Sequence, residues 1–186
     1  MTPADEKDFE TMTKTIFALM QAEITRKGNA TPVILVRYPD GKIERLPFPE
    51  KAGALMNFGE AKDVIFGAVR KLVRHAGLTA VAFGAESWFG QTTEAGKAVP
   101  EKEFNAATRE RGFQTAVDKG WVTREQCFTV ILQTETDMRT VTQVFERDDT
   151  AHAVYYIGDR QIMTTPQSHF KGRQKMYGDL SEENLY

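Results

Sequence analysis

The stretch TPVILVRYPDGKIERLPF, residues 31–48, decides the fold. Its first half sets the aliphatic residues Val33 to Val36 in a row, and its second half carries Ile43, Leu46 and Phe48 among charges. Such side chains suit extended backbone, and Pro39-Asp40-Gly41 between them tolerates the positive φ of a tight reversal. The stretch reads as two strands of an antiparallel hairpin. A lone hairpin is at best marginal in water, so the rest of the chain must supply further strands and a cover.

Two amphipathic patterns flank it. Upstream, Thr2 can cap a helix with Pro3 in its first position, and Phe9, Met12, Ile16, Phe17, Leu19, Met20 and Ile24 recur at helical spacing up to Gly28-Asn29. The apolar face of this helix predicts contact with the sheet of its own domain or with a second subunit. Downstream of Pro47 and Pro49, residues 50–58 read as a short helix or an irregular crossing. Asn57 and Glu60 have the spacing of a capping box, ahead of a helix with Ala61, Val64, Ile65, Ala68, Val69, Leu72 and Ala76 on one stripe and Gly77 as its stop. Its other face, with Lys62, Asp63, Arg70, Lys71 and Arg74, reads as solvated.

TAVAFGAESW, residues 79–88, is a strand whose Ala and Gly predict a helix packed closely on one side, and the helix of residues 58–76 is the expected neighbour. FGQTTEAGKAVPEKE, residues 89–103, has no period and reads as a long exposed loop. Residues 104–119, with Phe104, Ala107, Phe113, Ala116 and Val117 interrupted by Gly112, predict a short or broken helix ended by Gly120. Strands over 126–135 and 139–147 follow, joined near Thr136-Asp137-Met138. After the turn Asp148-Asp149-Thr150, AVYYI leads through Gly158-Asp159 into RQIMTT, which reads as a third hairpin. Successive turn-linked strands favour an antiparallel meander. The expected fold is α+β: a mainly antiparallel sheet with hairpins, about five to seven strands, covered on one face by two or three helices. Residues 1–165 form the domain in this reading. Residues 166–186 form a peripheral tail whose last four, Glu183 to Tyr186, match the start of a tobacco-etch-virus protease tag.

Composition bounds the function classes. The 186 residues, 41% hydrophobic with twelve Phe, support a buried core without a metal or disulfide staple. Twenty-four basic against 26 acidic residues give a formal charge of -2, which argues against a protein that lives by nucleic-acid backbone contacts. Cys127 is the single cysteine, inside the apolar run CFTVIL, so it reads as a buried small hydrophobe and the setting as cytoplasmic. No apolar stretch has the length to cross a bilayer, and the acidic start MTPADEKDFE is unlike a signal peptide.

Motifs of specific chemistry are absent from the sequence. His75, His152 and His169 stand apart, which removes a structural zinc site, and Asp148-Asp149-Thr150 lacks the ligand spacing of a calcium loop. There is no Gly-rich phosphate loop, and neither Ser87 nor Ser168 has a nucleophile-elbow context. No cofactor is expected. The candidate pocket is the end of the 79–88 strand, where Glu86 and Trp88 share a face, joined by His152 as the most plausible general base. The competing picture has Trp88 and Phe89 plugging the core edge with Glu86 in water. A buried Glu86 needs a donor such as Arg37 or Arg139. Arg160, Lys171, Arg173 and Lys175, with His169, Phe170 and Tyr177, form a basic, aromatic-containing stretch able to contact an anion or nucleic acid, against which a solvated tail is the plainer reading.

These observations favour a non-enzymatic binding or assembly protein. Its partner is an unknown protein or a second copy, met through the N-terminal helix, an exposed sheet face or the 89–103 loop, with no membrane. The alternatives are a small hydrolase or ligand-binding enzyme at Glu86, Trp88 and His152, and a weak nucleic-acid binder using the C-terminal basic stretch.

Overall fold

The computed structural model describes residues 3–48, 59–111, 113–169 and 175–177. Helix α1 (Pro3–Lys27) forms on the predicted stripe, with Phe9, Met12, Ile16, Phe17, Met20 and Ile24 all buried. Gly28 ends it at φ +77°, its N–H donating to Ile24 O at 2.7 Å. β1 (Val33–Arg37) and β2 (Ile43–Leu46) form the expected hairpin, pairing from Ile34 with Leu46 to Arg37 with Ile43. The Lys42 N–H donates to Asp40 Oδ1 at 2.9 Å, and Gly41 takes φ +85°. Residues 49–58, with the expected cap Asn57, lie outside the described residues.

Helix α2 (Gly59–Ala76) follows, with its buried stripe rotated from the predicted one. Phe66, Val69 and Val73 are buried, whereas Val64 is 73% exposed. Phe66 is the bulkiest side chain of the helix, and its burial sets the phase.

β3 (Ala80–Phe89) pairs antiparallel with β1, and β4 (Glu125–Gln133) and β5 (Asp137–Asp148) continue the sheet. With β6 (Ala153–Tyr156) the order is β2-β1-β3-β4-β5-β6, and β7 (Gln161–Pro166) also pairs with β5. The chain divides into two compact units, one of Met1–Glu86 with Phe128–Tyr186 and one of Ser87–Cys127.

In the first unit β1 and the first half of β3 are buried on both faces. Val33, Leu35, Ala80 and Ala82 pack with the α1 stripe, Phe128, Val130 and Phe145. Ile34, Val36, Val81 and Phe83 pack with Phe66, Val69 and Val73 of α2. The helices therefore cover opposite faces rather than one, because Val33 to Val36 of β1 and Ala80 to Phe83 of β3 are apolar at successive positions instead of every second one. Ala80, Ala82 and Gly84 of β3 also face α1, while Ala85 packs on the α2 side. A Cβ on Gly84 would come within 2.1 Å of Ile16 Cγ2, so α1 lies directly on this glycine.

The expected third hairpin does not form. β7 pairs with β5 from Asp137–Pro166 to Thr142–Gln161, and β6 pairs with the same edge from Phe145–Tyr156 to Asp148–Ala153. Both run antiparallel to β5, so they are successive parts of one edge strand. Between those pairings, β5 advances three residues and its partner five, which makes residues 157–160 a bulge with Gly158 at φ +63°. The buried Gln143 amide fills it, donating from Nε2 to Val144 O, Ile157 O and Gly158 O at 3.1–3.2 Å.

Within the expected tail, of which residues 166–169 and 175–177 are described, several residues are less peripheral than the sequence suggests. Gln167, Lys175, Met176 and Tyr177 are buried, and Gln133 Oε1 accepts from Met176 N (2.9 Å) and Gln167 Nε2 (3.2 Å). Burial raises the pKa of the Tyr177 phenol, whose hydroxyl donates to Leu78 O at 3.1 Å.

In the second unit, the expected long loop contains helices α3 (Glu94–Lys97) and the start of α4 (Glu101–Arg111), followed by α5 (Phe113–Asp118). Thr93 caps α3, accepting from Gly96 N at 3.1 Å and donating to Gly120 O at 2.7 Å. A Cβ on Gly96 would fall 2.1 Å from Trp121 O, so this turn closes only on glycine. Trp121 stacks on Phe104 with ring centroids 5.8 Å apart.

Candidate functional site

The structure brings Glu86 and His152 to one corner of the first unit, at the α1–β1 connection. Glu86 Oε1 pairs with Arg147 Nη2, and Oε2 accepts from Ala30 N at 3.0 Å. Arg147 Nη1 donates to Gly28 O at 2.9 Å. The donor to Glu86 is thus Arg147, while Arg37 pairs with Asp8 and Arg139 with Glu6, both at 2.7 Å. His152, at φ +50°, lays its ring beside Gly28, where a Cβ would stand 3.6 Å from Nε2. Both Glu86 oxygens are engaged in holding the helix end, so proton transfer through this carboxylate would release the clamp.

Trp88 belongs to the second unit and does not plug a core. It is 53% exposed, and the Arg124 guanidinium stands 3.7 Å above its ring centroid. With Ser87, Gly90 and Gln114 they line an open depression of about 530 Å³. Gln114 Oε1 accepts from Arg124 Nη1 at 2.5 Å, and Gln114 Nε2 donates to Asp118 at 2.7 Å.

A cleft of about 510 Å³ in the first unit has the size of a small-molecule site, lined by Arg37, Thr79, Thr134, Thr136, Asp137 and Tyr177 among others. Its polar groups are largely spent on one another. Arg37 Nη1 donates to Thr79 Oγ1 (3.0 Å), and Asp137 N to Thr134 Oγ1 (3.1 Å). Thr136 Oγ1 donates to Asp137 Oδ2 (3.0 Å), and the Tyr177 hydroxyl is on Leu78 O.

The basic stretch does not assemble as an anion surface among the described residues. Lys175 is 1% exposed, and Arg160 lies 5.0 Å over the Phe17 ring beside Glu6 and Glu10. Lys171 and Arg173 lie outside the described residues. Asp148 makes the ordinary turn expected of it, accepting from Thr150 N and Ala151 N at 2.9 and 3.0 Å. No group of three or more described His, Cys, Asp or Glu residues is placed to hold a metal ion, and no described helix is long and apolar enough to cross a membrane.

Among the described residues, most of the exposed large apolar side chains lie along the β6–β7 edge, which no sequence motif marks. Tyr155, Tyr156 and Ile157 are exposed, and Ile162 and Met163 are each 58% exposed. The opposite edge, β2, is guarded by charge, with Lys42 on Glu44 and Arg45 on Glu23 at 3.1 and 3.2 Å. Among the described strands, only β6 and β7 carry no charged residue.

The backbone of β7 is also set for pairing. Gln167 N donates to Thr136 O at 2.8 Å, and this bond continues the β5–β7 register. Antiparallel alternation then turns the N–H and C=O of Gln161, Met163 and Thr165 toward β5, and those of Ile162 and Thr164 outward. Pro166 falls on an outward position, where its missing N–H costs the ladder nothing. Beside this edge a groove of about 210 Å³ separates β7 from α1, with Phe9, Val141 and Ile162 as its apolar lining and Glu6, Glu10 and Arg160 at its rim. Thr13 Oγ1 lines it as well, buried and without a hydrogen-bond partner. The sequence signal for this edge is the uncharged run QIMTTP, whose meaning depends on its being an edge.

No known protein family, curated protein or solved structure matches the chain.

Proposed function

We propose that the protein is a non-enzymatic binding or assembly protein that works through the β6–β7 edge. The observation that carries this reading is that β7 is exposed on both faces, uncharged, and presents outward backbone groups at Ile162 and Thr164. An added strand gains main-chain hydrogen bonds there, and the groove against α1 accepts one of its side chains. The N-terminal helix is a weaker choice of surface, because its apolar stripe is buried in its own core.

The test is a photo-crosslinking residue placed at Met163 and, in a control, at Val64, which is also exposed and apolar but lies on a helix with no free strand edge. Covalent adducts are expected from position 163 and not from 64, whether to this chain or to another protein in the source cell. Equal labelling, or none from 163, overturns the reading.

A further inference from the structure

We infer that the occupant of the β7 edge is a second copy of this chain, paired antiparallel through β7 about a twofold axis. This rests on the reading of that edge as the working surface. A twofold normal to the sheet keeps both copies of α1 on one side, so only residues on the same face can stand opposite each other. That restricts the centre of pairing to a residue position. Centring on Thr164 sets Ile162 against Pro166, which has no N–H to give. Centring on Ile162 sets Thr164 against Arg160, which belongs to the bulge. Centring on Met163 sets Ile162 of each copy against Thr164 of the other, so the outward N–H and C=O of both residues are used.

The side chains agree with this register. Met163 meets Met163 of the second copy on the face away from α1, where cross-strand neighbours are closest. On the α1 face, Thr164 of the second copy lies against Ile162, beside the groove that holds the unpartnered Thr13 hydroxyl. No charged residues stand opposite one another within the paired segment. At the charged β2 edge, by contrast, a self-pair centred on Glu44 or Arg45 brings like charges together.

The experiment is sedimentation of the full chain from about 1 to 300 μM, the range in which an interface smaller than the standard size dissociates. Amide exchange at Ile162 and Thr164 is read in parallel. The variants are Met163→Lys, which sets charge on charge at the axis, and Thr164→Pro, which removes an outward N–H without touching the β5 ladder. The expected result is a monomer–dimer equilibrium, with both amides protected only at high concentration. Each variant should dimerise at least tenfold more weakly with an unchanged far-ultraviolet spectrum. A chain that stays monomeric, or dimerises with both amides unprotected, overturns the second copy as occupant; the edge reading then stands or falls on crosslinking at Met163. A dimer indifferent to both substitutions likewise overturns the second copy as occupant of this edge.

Discussion

Gly84 shows how one missing side chain sets a helix on a sheet. Because a Cβ there would overlap Ile16 Cγ2, Gly84→Ala should cost about 1–3 kcal/mol in urea unfolding, as overpacked cores do. Ile16→Leu moves the branch away from Cβ, and the double variant should lose less than the sum of the singles. The Glu86–Arg147 pair is mostly buried, and Glu86→Gln leaves Arg147 with only the exposed Asp149, 3.9 Å from its Nε, as counter-charge. A loss of about 1–3 kcal/mol is expected, with faster amide exchange at Gly28 to Ala30. Glu23 adds a pH dependence. Burial raises its pKa, but the Thr31 N–H at 2.7 Å and Arg45 at 3.2 Å outweigh that and leave the carboxyl below its ordinary value. A depressed folded-state pKa contributes stability above the unfolded value, about 4.3, and loses it as pH falls through the folded one. Glu23→Gln should therefore flatten the acid limb of stability against pH, and an unchanged limb would count against the assignment. None of these partners adjoins the other in sequence, which is why Arg147 was not legible as the donor to Glu86.

At the scale of elements, the edge opposite β5 depends on a single buried amide. Gln143 supplies hydrogen bonds to three carbonyls across the bulge. Gln143→Leu keeps the volume and removes the donors, so it should cost about 1–3 kcal/mol and raise exchange at residues 157–160 before the rest of the sheet opens. A third hairpin was the natural reading of Gly158-Asp159, because glycine and aspartate mark a reversal and a bulge alike. Which one forms depends on whether β5 is long enough to pair with both halves, and that is a property of a strand some fifteen residues away. The α1 and β1–β2 elements were legible because their signals are local: a stripe at helical spacing, and Asp-Gly between apolar runs.

For the whole molecule, both hydrophobic clusters draw their buried residues from the first unit alone. Replacing Ser87–Cys127 by a short Gly-Ser connector should therefore leave one cooperative unfolding transition, measured by calorimetry. Loss of all cooperative unfolding would show that the first unit does not hold its own core. The same first unit contains the uncharged edge, so the shortened chain should keep the concentration dependence of the parent.

The sequence by itself determined the α+β class, the extent of α1, the first hairpin and the antiparallel run of the second half. Each follows from a local period or a turn residue that acts over a few positions. Only the tertiary structure decided that the two helices cover opposite faces and that Gly84 meets α1 rather than α2. It also decided that Lys175 is buried, that Glu86 is held by Arg147, and that QIMTTP lies on an open edge. Those outcomes depend on which distant segments share a face. Burial and backbone pairing are settled between elements, and no residue carries the identity of its neighbour across the sheet.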